Sequence, residues 1–260
     1  MPFLFNETET IVFSLALIRI TSFFFTWPLF SQAVLPTPVK VLFSVAVTAC
    51  VFPVIDRSGV AKETLELTLM WLSVKEAFIG LFLGFLSRLL FFAVEFGGSM
   101  ISTAMGLSSA TVFNPASGST STIIERFYIV LLTLLILSLN VHHAFISALV
   151  ESFSAVPIAP AGIDLAAISN QKGGGEMVQM VTIAGLKMSA PVMVVIFFLN
   201  VAMGIVGRAV PQINVLVTSL PVNIVAGLLV MIVTLPALIL GLDRDLAQFA
   251  DLLFKYLRAI

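Results

Sequence analysis

Charge is what this chain has least of. Only 10% of its 260 residues are Asp, Glu, Lys or Arg, against roughly 25% in soluble domains, which excludes an ordinary soluble globular fold. The 13 basic and 14 acidic residues leave a net charge of −1, so neither nucleic acid nor an anionic surface is an expected electrostatic partner. The single cysteine, Cys50, excludes an intrachain disulfide and leaves the redox compartment open. Histidine is nearly absent too: His142 and His143 are adjacent, pointing about 100° apart on a helix. Metal-ligand pairs want i,i+4 spacing, so polar packing near Glu151 is the more economical reading. No phosphate loop is present, and no nucleophile has a base at a recognisable spacing. Neither an enzyme nor a cofactor is expected.

What fills the chain instead is apolar. It is 59% hydrophobic with 23 Phe and a mean hydropathy of +1.12. An all-α, polytopic membrane-type protein follows, with kinked and half-entering helical hairpins, in a single domain over residues 1–260. Residues 11–30 are apolar except for Arg19, long enough to cross roughly 30 Å of hydrocarbon at about 1.5 Å per residue. Glu7 and Glu9 precede this run, so it lacks a basic flank, and a retained first helix is expected rather than a cleaved signal. Residues 31–40 read as a stiff, proline-bearing turn, and 41–55 as a second, short apolar run. Residues 56–66 carry the densest charge and read as an exposed loop.

Residues 67–96 have a helical pattern about 45 Å long, with Lys75, Glu76, Arg88 and Glu95 inside it. Each charge at mid-bilayer would cost on the order of 3 kcal/mol, so part of this helix should lie against protein or outside lipid. Arg88 and Glu95 are seven residues apart and share a face, either meeting or serving separate partners. Gly80 and Gly84 form a GxxxG that allows close backbone approach. Further helices are expected over 125–150, which contains Asn140 and both histidines, over 177–206 with a kink near Pro191, and over 213–242, divided by Pro221 and Pro236. Residues 155–175 and 207–212 read as breaks, and 243–258 as an amphipathic end. The basic residues are scattered among successive breaks, so the positive-inside rule assigns no orientation.

Residues 97–122, GGSMISTAMGLSSATVFNPASGSTST, carry no charge at all. Glycines and Pro115 punctuate them where a long helix would not place them. An exposed loop would hold charge, and a membrane helix would hold more Leu, Ile and Val. A packed, uncharged loop inside protein is the reading that remains, with 97–103 more economically read as the end of the preceding helix. Met100 and Met105 admit a flexible-gasket role beside ordinary core filling.

The order of segments resembles the FliR family, the R component of the flagellar and type III secretion export gate. Arg19, Phe23 to Phe25, Pro28, Phe30, Pro36 and Lys40 match its N-terminal pattern. Met105, Gly106, Leu107, Ala110, Pro115, Ala116 and Ser117 match its Met-Gly-Leu…Asp-Pro-Ala-Ser segment. Asn140, His142 and His143 match an Asn-Gly-His-His signature, and Pro211, Gln212, Asn214 and Pro221 a Pro-Gln-x-Asn…Pro one. Asn114, Ala104, Val141, Ser219 and Leu216 depart from the pattern. Asn114 stands for the usual Asp, which argues against a charge essential at that position.

The resemblance implies a structural subunit, P-like over 1–175 and Q-like over 176–260, in a helical hetero-oligomer with P and Q subunits and a B-type gate subunit. It implies a bacterial inner membrane location in the flagellar basal body, contact with lipid, and unfolded flagellar proteins as cargo. The pore plug would comprise Met105, Gly106, Leu107, Ala110, Phe113, Asn114, Pro115, Ala116, Ser117 and Gly118. Helix or subunit interfaces would involve Arg19, Gly80, Gly84, Arg88, Glu95, Asn140, His142, His143, Pro211, Gln212, Asn214 and Pro221. A small secondary transporter and the equivalent subunit of a virulence injectisome are the alternatives.

Overall fold

A computed structural model describes residues 7–31, 36–55, 66–108, 122–158, 173–212 and 214–257. Among these residues every regular element is helical: α1 (Glu7–Thr26), α2 (Pro28–Ser31), α3 (Thr37–Val51), a 3₁₀ turn (Phe52–Val54), α4 (Glu66–Ala104), α5 (Ile123–Ser138), α6 (Val141–Ala155), α7 (Gly173–Ala209) and α8 (Val215–Leu257). Five stretches are long and apolar enough to cross a membrane, namely Glu7–Thr26, Thr37–Val54, Thr68–Ala104, Gly175–Ala209 and Val217–Leu252. The broken pair α5–α6 adds a sixth if counted as one span. The chain is an all-α, polytopic membrane protein.

Several boundaries differ from those the composition suggests. α3 begins at Thr37 with proline in its first turn, where the missing N–H has no helical partner to lose, so the turn at 31–40 is shorter than expected. α4, by contrast, runs through Gly97 and Gly98 to Ala104, as the reading of 97–103 as a helix end expects, and both glycines sit at close helix contacts described below. Residues 125–150 form two helices rather than one: Asn140 takes φ 56°, the left-handed conformation that Asn tolerates best after Gly. The glycines at 173–175 are helical rather than a turn. α8 passes through Pro221 and Pro236 without ending and absorbs the amphipathic end as well. The charged 56–65 stretch lies outside the described residues.

The chain divides into two compact units. The first comprises Met1–Leu89, Asn140–Gly175 and Phe249–Ile260; the second comprises Leu90–Leu139 and Glu176–Gln248. In the first, α1 lies directly on α4. A Cβ on Gly80 would collide with the Arg19 carbonyl, and one on Gly84 would lie 2.6 Å from the Thr26 Cβ. The GxxxG is therefore spent on packing within the chain. Phe23, Phe24, Trp27, Phe30, Phe43 and Phe145 close this unit with ring centroids 5.0–5.9 Å apart, in the edge-on and offset geometries that rings prefer.

In the second unit, α7 and α8 form an antiparallel hairpin. The Asn223 side-chain amide donates to the Asn200 Oδ1 at 2.9 Å, and Gly207 abuts Val215 near the turn. The end of α4 crosses α7 at two glycines. A Cβ on Gly185 would lie 2.7 Å from the Ala93 carbonyl, and Gly97 faces Gly185 and Met188.

Candidate functional site

The uncharged loop is held by a frame built in the second unit. α4 ends at Gly106, whose φ of 81° is open to glycine at no steric cost. The Leu107 N–H donates to the Ser102 carbonyl at 2.9 Å and the Gly106 N–H to the Thr103 carbonyl at 3.1 Å. These 6→1 and 5→2 bonds are those of a Schellman termination. Met105, the residue before the turn, is fully buried. A Cβ on Gly227 of α8 would lie 2.8 Å from its Cγ, Sδ and Cε, so the thioether fills the notch that this glycine leaves. Two turns earlier on α8, the Leu220 Cδ2 stands 2.6 Å from where a Cβ of Gly106 would be.

The returning end of the loop is fixed as firmly. The Thr122 hydroxyl accepts the Glu125 N–H at 3.4 Å, and the Glu125 carboxylate accepts the Thr122 N–H at 3.1 Å. This reciprocal capping box starts α5. The Ser102 and Thr122 hydroxyls meet at 2.5 Å and are buried. The two described ends of the uncharged stretch thus meet at one place. Gly98 lets this happen, because a Cβ there would sit 3.0 Å from the Glu125 Cα.

Met105, Gly106 and Leu107 belong to this frame. Ala110, Phe113, Asn114, Pro115, Ala116, Ser117 and Gly118 lie outside the described residues. Met100 is a second methionine of the frame, its sulfur 3.8 Å from the Ser189 hydroxyl.

The residues expected at helix or subunit interfaces fall into two sets. Arg19 is fully buried in the first unit and is the hub of a polar cluster. Its Nε donates to Glu76 Oε2 at 2.5 Å, its Nη1 to the Ser152 carbonyl at 2.8 Å, and its Nη2 to the Val156 carbonyl at 2.8 Å. Phe153 lies under the guanidinium at 4.3 Å. Lys75 adds a bond of 3.1 Å to the Pro157 carbonyl. Two cations thereby satisfy carbonyls at and beyond the end of α6, where the helix dipole is negative.

The other set lies at the surface. Arg88 and Glu95 are both exposed on α4, Asn140 and His143 are exposed, and His142 is half-buried with its ring 4.2 Å from that of His143. Pro211 and Gln212 form the exposed turn between α7 and α8, Asn214 precedes α8 and its side-chain oxygen accepts the Val217 N–H at 3.4 Å, and Pro221 is exposed within α8.

Some of these partners were readable in advance. Thr122-x-x-Glu125 before an apolar run is a capping-box pattern, and a lone Arg19 in one apolar run implies an acid in another. Nothing local marks Ser102 or Gly227, because their roles depend on contacts with distant residues.

The sequence profile of the bacterial export proteins, family 1, matches residues 10–249. The chain is 34% identical over 227 residues to the flagellar biosynthetic protein FliR of Bacillus subtilis, covering 85% of each protein. It is 29% identical over 220 residues to the FliR of Escherichia coli, covering 85% of this chain and 82% of the relative, and 28% identical over 237 residues to that of Pectobacterium carotovorum, covering 91% and 88%. A family match over residues 10–249, with a relative 34% identical over 85% of each protein, makes the chain a member of the FliR family of bacterial export proteins.

Proposed function

We propose that this chain is a structural, pore-forming subunit of the flagellar protein export gate, and that the loop at 105–118 plugs the closed channel. One observation carries the reading: the loop is uncharged throughout and is pinned at both feet, Met105 in the Gly227 notch and Thr122 on Ser102. Such an element is tethered whatever its middle does. With no charged residue among 97–122, its own side chains offer only dispersion and neutral hydrogen bonds, each worth little singly, so an unfolded chain can displace it without extracting a buried charge of its own. The flagellar rather than injectisome assignment follows from the relatives, all three of which are named for flagellar biosynthesis.

The partners of this reading are P and Q subunits in a helical assembly, with a B-type subunit beside it, in the bacterial inner membrane at the flagellar basal body. The chain leaves ample apolar surface for them. Only 11% of each apolar window in α7 and α8 is buried within the chain, and Phe197, Phe198, Ile232 and Val233 are all more than 60% exposed. Surface of this kind is covered by lipid or by neighbouring helices. The P-like part of this reading is 1–175 and the Q-like part 176–260, a division by chain order that differs from the compact units, since Leu90–Leu139 belongs to the second and Phe249–Ile260 to the first.

Deleting residues 106–118 tests the plug. The complex should still assemble, and cells or vesicles carrying it should leak small ions well above the intact complex. An assembled complex with unchanged leak overturns the plug.

A further inference from the structure

One face of α4 is left uncovered among the described residues of the first unit. Between residues 71 and 88 the helix lies on α1 at Gly80 and Gly84, and its Lys75 reaches a carbonyl just beyond α6. Six residues of this stretch are exposed: Trp71, Val74, Phe78, Leu81, Phe85 and Arg88. All the others are buried or half-buried. The exposed residues step by three and four alternately, the heptad spacing of a helix seam. They form one row about 26 Å long at about 1.5 Å per residue.

The five apolar members of the row are 48–66% exposed, an apolar strip of the kind that marks an interaction surface. No two adjacent residues of the stretch are exposed, whereas on α7 Phe197 and Phe198 both are. The open face of α4 is thus as narrow as the contact line of one helix. Arg88 makes no hydrogen bond or ion pair among the described residues. Residues 77–87 and 89–94 carry no charge, so its guanidinium stands between apolar surfaces. Covering the row takes that cation out of water, and a desolvated cation needs an anion. Acyl chains carry none. A carboxylate is the anion that a helix can bring, and a guanidinium holds it by two parallel bonds.

We propose that this row is the docking seam for one helix of a neighbouring subunit, an apolar helix with an Asp or Glu at the level of Arg88. That helix crosses α4 at a shallow angle of about 20°. It offers Gly, Ala or Ser at seven-residue intervals, because Trp71, Phe78 and Phe85 recur every seven residues and are knobs too large to face side chains of their own size. The inference rests on the chain's being one subunit of a hetero-oligomer and is independent of the loop's role.

The test uses the full-length protein in its purified complex. A photocrosslinker in place of Leu81 or Phe85 should join a segment of one other subunit, and mass spectrometry should find in that segment the acid and the spaced small residues. Arg88→Glu should cut the crosslink yield and the recovery of that subunit about tenfold. Replacing the captured acid by Arg should restore both in the Arg88→Glu background. Arg88 has no polar partner in its own chain, so the variant should accumulate normally. If it does not, the sequence of the segment captured with Arg88 intact decides. Crosslinks to lipid or to the chain itself, a captured segment with no acid within about two turns of the crosslink, or undiminished yield from Arg88→Glu overturn the seam while the complex stands. A chain that purifies without other subunits overturns the subunit reading and the seam with it.

Discussion

Arg19 does two jobs with one guanidinium, and substitutions can separate them. It neutralises Glu76, and it supplies donors to the carbonyls of Ser152 and Val156. Glu76→Ala leaves a buried cation without its anion and should cost about 3–5 kcal/mol. Replacing a buried ion pair by apolar residues is often neutral, but the Arg19→Met, Glu76→Leu double variant should remain destabilised here. It strips donors from two carbonyls, at about 1–3 kcal/mol for each left unsatisfied. Thermal unfolding of the solubilised complex distinguishes the two results; full recovery in the double variant would mean that the carbonyls find other donors. Arg19 was legible in the sequence as the one charge in an apolar run. Glu76, 57 residues away, was not identifiable as its partner, because Glu95 in the same helical pattern was an equal candidate.

Met105 and Gly227 allow a second residue-scale test. Gly227→Ala places a methyl where the thioether lies and should cost about 1–3 kcal/mol by overpacking. Met105→Ala should cost about 2–5 kcal/mol by emptying the same space. The two share one volume, so the double variant should lose less than the sum of the single variants. Strict additivity in that cycle would show that the contact does not hold the loop foot.

At the scale of elements, the helices themselves were the easiest thing to foresee, and their ends the hardest. Long apolar runs such as 67–96 and 177–206 are helical as expected. Gly97 and Gly98 stand inside α4, in keeping with 97–103 as the end of that helix, and each sits where another helix approaches closely, so the roughly 1 kcal/mol glycine penalty is offset by that contact. Asn140 has the converse character. No Gly or Pro marks the break inside 125–150, and only the tolerance of Asn for the left-handed region permits it. Asn140→Gly should therefore be neutral or mildly stabilising, while Asn140→Val should cost about 1–2 kcal/mol, as read by thermal unfolding. Equal effects from both would place the cost in lost side-chain contacts instead of backbone conformation.

The same logic separates the two roles of Thr122. Ser102→Ala removes only the hydroxyl pair, whereas Thr122→Ala also removes the cap of α5, worth about 0.5–2 kcal/mol. Thr122→Ala should be the more harmful, and α5 should begin to exchange its first amides faster in hydrogen-exchange measurements. Protection of those amides left unchanged would argue that Glu125 alone starts the helix.

For the whole molecule, the apolar surface is the dominant fact. A chain that buries so little of α7 and α8 within itself is not expected to behave well alone. In mild detergent it should copurify with several copies of other small membrane proteins, and a monodisperse lone chain would contradict membership of a hetero-oligomer. Membrane character was plain from composition, but the division into two units was not. It depends on α4 and α8 each contributing to both, and a helix shared in this way leaves no change of composition at the crossing point.

The neutrality of the loop has one more consequence. Residues 97–122 offer no side chain that gains or loses charge with pH and none whose attraction is screened by salt. If this loop closes the channel, no charged side chain of its own gives a pH gradient or ionic strength a handle; the Glu125 carboxylate touches it at its returning foot. Any work that opens it must come from outside, as the push of an arriving polypeptide or a shift in the helices that hold its feet.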